Sequence, residues 1–386
     1  MTSRRRIVGA ALVVSSVLSG FVACDPNARA PGAAERRAAN DVSTAPRTTP
    51  PSPTSPPRTP PDDDDASIGA DDVDADVRAD ASADVPTTSA PSAAPARFIS
   101  LDVDDDAWIA RMRTAQSTRF KPVGTSSLVF KTTFTGGVEA AFRPRTRTHS
   151  RGWTSEVAAY RIARALDMDQ VPPAVSRAFS RSELESHLHA DFSEDWPALD
   201  EQMMGRGDIV WGALVYWVPG LRDLELDTPR GIATWSRWLA HDAGVVSADE
   251  ASLAGDLATM LCFDYLIANV DRWSGGNLRA DRSGRRVVIR DHNLAFLSPL
   301  PRAQHQRVLG HVRRVERFSR SFVLALRSLD ESRLRASLAA DPAVAAGTTL
   351  LDDPQIRALF DRREALLSRV AAHLDAYGEV AVLAFP

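Results

Sequence analysis

Phe263-Asp-Tyr-Leu-Ile-Ala-Asn-Val-Asp-Arg-Trp-Ser-Gly-Gly-Asn277, followed by Val287-Val-Ile-Arg-Asp-His-Asn293, is the stretch from which the rest of the chain is read. An apolar, helix-like run delivers the pair Asp271-Arg272 and then Asn277 into a glycine-containing loop. An apolar strand next presents Asp291, about twenty residues on. Phosphoryl transfer asks for such a set. One carboxylate accepts or orients a substrate hydroxyl, and a second, with an amide oxygen, holds a divalent metal against phosphates. Each residue also has a plainer reading: Asn277 as a turn residue after Gly275-Gly276, Asp291 as the residue that ends a strand.

Upstream of this stretch the pattern is strand-rich. Ser126 to Phe134, the turn Thr135-Gly-Gly137 and Val138 to Phe142 form a hairpin pattern, with β-branched and aromatic enrichment. A helix is expected from Thr154 to Leu166, with Thr154 as N-cap. Ile209 to Val218 reads as an apolar strand, punctuated by Pro219-Gly220. Downstream the pattern is helical. Leu253, Leu257, Met260/Leu261 and Ile267 mark a buried helix ending near Ala268, and helical periodicity runs through Gly310–Leu338 and Asp353–Tyr377. The last of these has Asp353 as expected N-cap, Pro354 in the first turn and Gly378 beyond its end. Strands first and helices afterwards imply an α+β fold of two unequal lobes with a cleft between them, a strand-rich part over 97–218 and a helical part over 219–386.

The first 96 residues are of another kind. Arg4-Arg-Arg6 and the apolar run Ile7–Leu18 read as an export signal over 1–23, too short for a comfortable membrane span of about 20 residues. Leu18-Ser-Gly-Phe-Val-Ala-Cys24 resembles a bacterial lipobox, which makes Cys24 the expected lipidation site and the chain an exported, lipid-anchored one. Residues 24–96 carry prolines, alanines, the run Asp62–Asp65 and no aromatic residue. Such a segment cannot bury enough apolar surface to offset its ordering entropy, so it is expected to be a disordered tether. The net charge of −4 and the absence of a basic stripe argue against nucleic acid as a partner. With Cys24 lipidated, Cys262 stands alone in an apolar run and is expected in the core. His187 and His189, without a third ligand nearby, read as surface residues.

Taken in order, Gly124-Thr125, the hairpin, Ala140-Ala-Phe-Arg-Pro144, Ser155-Glu-Val-Ala-Ala-Tyr160, Val171-Pro-Pro173, Asp271-Arg272 and Asp291 resemble the Golgi casein kinase and four-jointed family of secretory kinases. The likeness spans about residues 120 to 330. Phosphatidylinositol 4-kinases and HipA-type bacterial kinases are more distant resemblances. The resemblance implies a two-lobed protein-kinase-like fold that binds ATP with Mg²⁺ or Mn²⁺. It places Gly124, Thr125, Ser126 and Ser127 in a phosphate-covering turn and Arg143 where the family has a lysine that contacts the nucleotide phosphates. Glu156 becomes the helix carboxylate that pairs with that residue or helps hold metal, and Tyr216 to Gly220, including Val218, the hinge beside the adenine. Asp271 becomes the catalytic base, Asn277 a metal ligand and Asp291 the principal metal ligand. The family-type spacing from the aspartate to the asparagine is five, and here it is six.

Arg143 is the departure that matters, because a planar guanidinium and a compact ammonium are not interchangeable. Three readings stay open: a pseudokinase with a partly filled pocket, a compositional drift to arginine with function kept, or relocation of the amine to Lys131. Lys121 and Lys131 are the chain's two lysines, and plain exposure of Lys131 competes with the third reading. The leading expectation is a kinase transferring the ATP γ-phosphoryl group to a hydroxyl on an extracytoplasmic protein or glycan. The alternative is a membrane-tethered binding or regulatory module, which the scarcity of ATP outside the cytoplasm would suit.

Overall fold

The computed structural model describes residues 97–386, except positions 103, 125, 245 and 275 and the side chain at 249. The export signal, the tether and Cys24 lie outside the described residues. Among those that are described, no helix is long and apolar enough to cross a membrane.

The strand-rich half is one antiparallel sheet. Its strands are β1 (Ser117–Val123), β2 (Val129–Phe134), β3 (Glu139–Pro144), β4 (Ala174–Ser180) and β5 (Ile209–Tyr216), in the order β1-β2-β3-β5-β4. The expected hairpin is β2–β3, with Phe130 opposite Phe142 and Thr132 opposite Ala140. Its turn is Thr135–Gly137, where Gly136 and Gly137 take φ of 76° and 75°, a region that costs glycine little. Strand alternation sends Phe130, Thr132 and Phe134 to the buried face together with Ala140 and Phe142. There Phe142 and Phe120 meet Phe179 edge-on, at 4.8 and 5.1 Å between ring centroids. The other face, with Val129, Ala141 and Arg143, is left for a cleft. Gly212 is required within β5, because a Cβ there would come within 2.4 Å of the Phe142 ring and 2.5 Å of the Arg143 carbonyl.

Two elements of this half escaped the sequence pattern. β1 is mostly polar on its outer face. Helix α1 (Asp105–Thr114) carries only Ile109 and Met112 as buried apolar residues. Its charges did mark it: Asp104 caps it by accepting from Ala107 N–H at 2.7 Å, acids open it and arginines close it, the arrangement a helix dipole favours. Helix α2 (Gly152–Ala165) begins two residues earlier than expected, and Thr154 is not its cap. The Thr154 hydroxyl instead donates back to the Arg151 carbonyl at 2.8 Å. Because α2 packs on β4, β5 and the helix Glu331–Ala339, it is buried nearly all round.

The rest is mainly helical. The long helix Ala248–Leu266 opens with a capping box between Ser247 and Glu250 and ends at Ile267, as its apolar pattern predicts. The periodicity over Gly310–Leu338 is not one helix. It comprises the end of Arg302–Val312, then Arg320–Ser328 and most of Glu331–Ala339, the last two capped by the side chains of Ser319 and Asp330. The final long helix has the expected span Asp353–Tyr377 and Gly378 at its end, but Asp352, not Asp353, is its N-cap, in a capping box with Gln355. Three two-residue strands, β6 (Arg222–Asp223), β7 (Arg279–Ala280) and β8 (Val287–Val288), form a small sheet. The apolar strand expected before Asp291 is therefore short. Cys262 is free and buried in the core, and burial pushes its thiol up to about 12.

Candidate active site

A cleft of about 760 Å³ lies between the sheet and the helical part. Its sheet side is made by Val123, Gly124, Ser126, Ser127, Val129, Ala141 and Arg143, joined by Val215, Tyr216, Trp217 and Val218 at the end of β5 and just beyond it. Asp271, Ser274, Gly276, Asn277, Arg279, Arg290, Asp291, Asn293 and Leu294 line the opposite side. Residues as distant in sequence as Val123 and Leu294 thus share one cavity, because a strand, a helix end and a strand end all terminate there.

Arg143 is the centre of the arrangement. Its Nε lies 3.2 Å from Glu156 Oε1, its Nη2 donates to Asp291 Oδ1 at 2.8 Å, and its Nη1 donates to the Ser127 hydroxyl at 2.9 Å. A guanidinium has five N–H donors, so one hydrogen on each Nη stays free for a ligand. Glu156, in the first turns of α2, is only 4% exposed. Its Oε2 accepts from the His292 backbone N–H at 3.0 Å and lies 3.4 Å from His292 Nδ1. Burial alone would raise this carboxyl. The His292 hydrogen bonds and the charge of Arg143 outweigh burial and hold it down at about 2. Both Glu156 oxygens are thus committed, and a cation bound there would have to displace Arg143 or His292.

Asp271 stands on the loop that leaves the long helix. Ala268 takes φ of 52° and turns the chain, and Asp271 N–H donates to the Asn269 side chain at 3.3 Å. The Ser274 hydroxyl bonds Asp271 Oδ1. Asn277 Nδ2 donates to the Asp271 carbonyl at 3.0 Å and to its Oδ2 at 3.4 Å, which turns the amide oxygen of Asn277 away from them. The loop is held from beneath by Arg272, a fully buried side chain. Its Nε and Nη2 grip Asp264 at 2.8 and 3.0 Å, and its Nη1 donates to the carbonyls of Asn277, at 3.2 Å, and Arg290. Asn269 adds a bond to Asp264 at 3.0 Å and a long one to the Asp291 carbonyl at 3.5 Å. One buried ion pair therefore fixes the Asp271 loop and the Asp291 strand end against each other. Sequence reading quoted Arg272 only as a neighbour of Asp271 and missed Asp264 and Asn269. Their polarity within an otherwise apolar run was the available signal.

Of the residues singled out from sequence, Gly124, Ser126, Arg143, Glu156, Tyr216, Val218, Asp271, Asn277 and Asp291 all line this one cleft. Thr125 and Cys24 lie outside the described residues. Lys131 does not line the cleft. It sits further along β2, where its ammonium pairs with Glu139 at 2.9 Å and lies 4.9 Å from the Trp217 ring centroid. His149, Arg279, Arg290 and Asn293 line the cleft without having been foreseen.

No group of three or more His, Cys, Asp or Glu side chains among the described residues could hold a metal alone. Asp271, Asp291 and Asn277, two carboxylates and an amide, nevertheless line the same cleft. That set fits a hard divalent cation whose shell is completed by phosphate oxygens and water.

No family model and no curated protein matches the chain. Solved structures do. The chain is similar to the Golgi casein kinase with Mn/ADP bound, at 18% identity and a TM-score of 0.53, over 72% of this chain and 78% of that one. It is also similar to hydra Fam20 with sugar, at 17% identity and a TM-score of 0.57, over 74% of this chain and 94% of that one. What the chain shares with these proteins is the fold, a two-lobed, protein-kinase-like α+β architecture with an antiparallel sheet facing a mainly helical part.

Proposed function

We propose that the chain is an ATP-dependent phosphotransferase of the secretory atypical kinase type, which passes the γ-phosphoryl group to a hydroxyl of an extracytoplasmic protein or glycan. The observation that carries this reading is Arg143, joined to Glu156 and Asp291 inside a cleft that also holds Asp271 and Asn277. A cavity of 760 Å³ lined by both apolar and charged side chains suits a nucleotide. The Mn/ADP bound to the Golgi casein kinase supports the same pairing of ligands here.

Each residue then has a task. Val129, Ala141, Val215 and Val218 enclose the base from the sheet side and the segment that leaves β5. The two unengaged Nη hydrogens of Arg143 meet phosphate oxygens, while Glu156 keeps the guanidinium aimed. Asp291 and Asn277 would hold Mg²⁺ or Mn²⁺, which neutralises phosphate charge when bound. Asp271 orients the acceptor hydroxyl and takes its proton. Catalysis of this kind is positioning and charge neutralisation, with little covalent work for the protein.

Thermal unfolding with and without ATP and Mn²⁺, for the parent chain and Asp291→Ala, tests the proposal. A ligand bound only to the folded state raises its stability, by about 2.7 kcal/mol at one hundred times the dissociation constant. The parent melting point should rise and the variant's should not; a parent that does not respond would leave the binding-module alternative. The export signal and Cys24 add a proposed location, a lipid anchor on the cell envelope, which Cys24→Ser should abolish in fractionated cells.

A further inference from the structure

Arg290 is the one arginine lining the cleft that forms no ion pair among the described residues. Arg143 is shared by Glu156 and Asp291, and Arg279 pairs with Asp223 at 3.2 Å. Arg290 Nη2 donates to the Gly276 carbonyl at 3.1 Å, and its Nε is buried without a hydrogen-bond partner. Arg279 Nε donates to the same carbonyl at 2.8 Å. Two guanidinium groups thus converge on one neutral oxygen at the edge of a cavity. Like charges brought together at a partly desolvated place are unfavourable unless an anion joins them.

The backbone explains why Arg290 faces the cleft at all. Successive side chains at a strand end alternate between faces, yet Arg290 and Asp291 both line this cavity. Asp291 takes φ of 65°, a left-handed conformation uncommon outside glycine, which breaks the alternation. That turn is pinned by Arg272 bonding the Arg290 carbonyl and by Asn269 reaching the Asp291 carbonyl. Ile289, one residue earlier, is fully buried. The chain is therefore held so that an arginine and the metal-binding candidate next to it point into the same space.

We propose that Arg290 is a phosphate-contacting residue of the nucleotide site, which clamps the phosphate chain of a nucleoside diphosphate or triphosphate from the helical side while Arg143 holds it from the sheet. The assignment rests on the phosphotransferase reading of the same cleft. Arg290 has no counterpart in the motifs that pointed to that reading.

Titration calorimetry of the full-length chain with ADP and with adenosine, both in Mn²⁺, tests the assignment. A charge-assisted hydrogen bond to phosphate lost in Arg290→Gln should weaken ADP about 10- to 100-fold and leave adenosine binding within about twofold. If both ligands weaken equally, Arg290 acts only by holding the loop at Gly276 and the proposal is overturned; it is equally overturned if neither changes. Should Arg290→Gln not fold, Arg290→Lys carries the same comparison, because the shorter reach of lysine still costs ADP and not adenosine. A parent chain that binds neither ligand removes the phosphotransferase reading together with this one. A parent that binds ADP, with an indifferent Arg290 variant, removes this one alone.

Discussion

Replacing Glu156 with glutamine tests the electrostatic core of the site, because the substitution keeps shape and removes charge. In the folded chain the Glu156 carboxyl is held at about 2, against 4.5 for an ordinary glutamate, by the His292 hydrogen bonds and the Arg143 charge acting against burial. That difference corresponds to roughly 3 kcal/mol in favour of the folded state when the carboxylate is charged. Since the folded value lies below the unfolded one, this contribution is fully present above pH 4.5 and fades as the pH falls towards 2. At neutral pH, Glu156→Gln should therefore cost about 3 kcal/mol, or a fall in melting temperature on the order of 5–10 °C for a domain of this size. The glutamine side chain mimics the protonated acid, so the gap between parent and variant should close as the pH approaches 2. Urea unfolding at a series of pH values from about 7 down to about 2.5 measures the gap directly, across the window in which the charge is lost. Taking the difference between two proteins removes the titration of all other carboxylates. A gap that stays constant across that range would refute the argument, since the value of Glu156 would then lie in packing. A gap near zero at neutral pH would refute it too.

Three further outcomes follow from particular contacts. Lys131→Ala should leave ATP binding unchanged and cost less than about 1 kcal/mol, because its pair with Glu139 is partly exposed and lies outside the cleft; loss of nucleotide binding on calorimetry would restore Lys131 as the phosphate-contacting amine. Arg272→Met should cost about 3–5 kcal/mol in a denaturant melt by leaving Asp264 buried and unpaired, and the double variant with Asp264→Leu should recover part of that loss. A double variant as unstable as the sum of the two singles would argue against the pairing. Asp352→Ala should cost about 1 kcal/mol through loss of the helix cap, and more than Asp353→Ala does; the reverse order in thermal melts would return the cap to Asp353.

Much of the fold was legible in sequence wherever a local pattern and a tertiary face coincided. The β2–β3 hairpin announces itself by Phe130, Phe134 and Phe142 at strand spacing around Gly136-Gly137, and the long helix by Leu253, Leu257 and Leu261. α1 was not legible by hydrophobic pattern, since Ile109 and Met112 are its only buried apolar residues, too few to make a stripe, and the helices between Arg302 and Ala339 ran together as one stretch of helical periodicity. Their caps at Ser319 and Asp330 were the better signal. The two misplaced caps have different causes: Asp352 is a cap-type neighbour that takes the position from Asp353, whereas α2 starts after Arg151, which makes no side-chain cap bond, so no cap-type residue marks its beginning.

For the site, the sequence alone singled out the residues to look for. Asp271, Asn277, Asp291, Arg143 and Glu156 are of the types phosphoryl transfer needs, in an order that a known fold explains. Identity and spacing are properties of the chain itself. What only the tertiary structure decided is who neutralises whom. Arg143 serves Glu156, Asp291 and Ser127 at once, Lys131 is drawn off to Glu139 and Trp217, and Arg290 forms no ion pair among the described residues. Charge pairing depends on distances of a few ångströms between elements up to 148 residues apart, and no local pattern encodes such distances. They follow from the packing of a sheet on a helical half, which brings a strand, a helix and a strand end to one point.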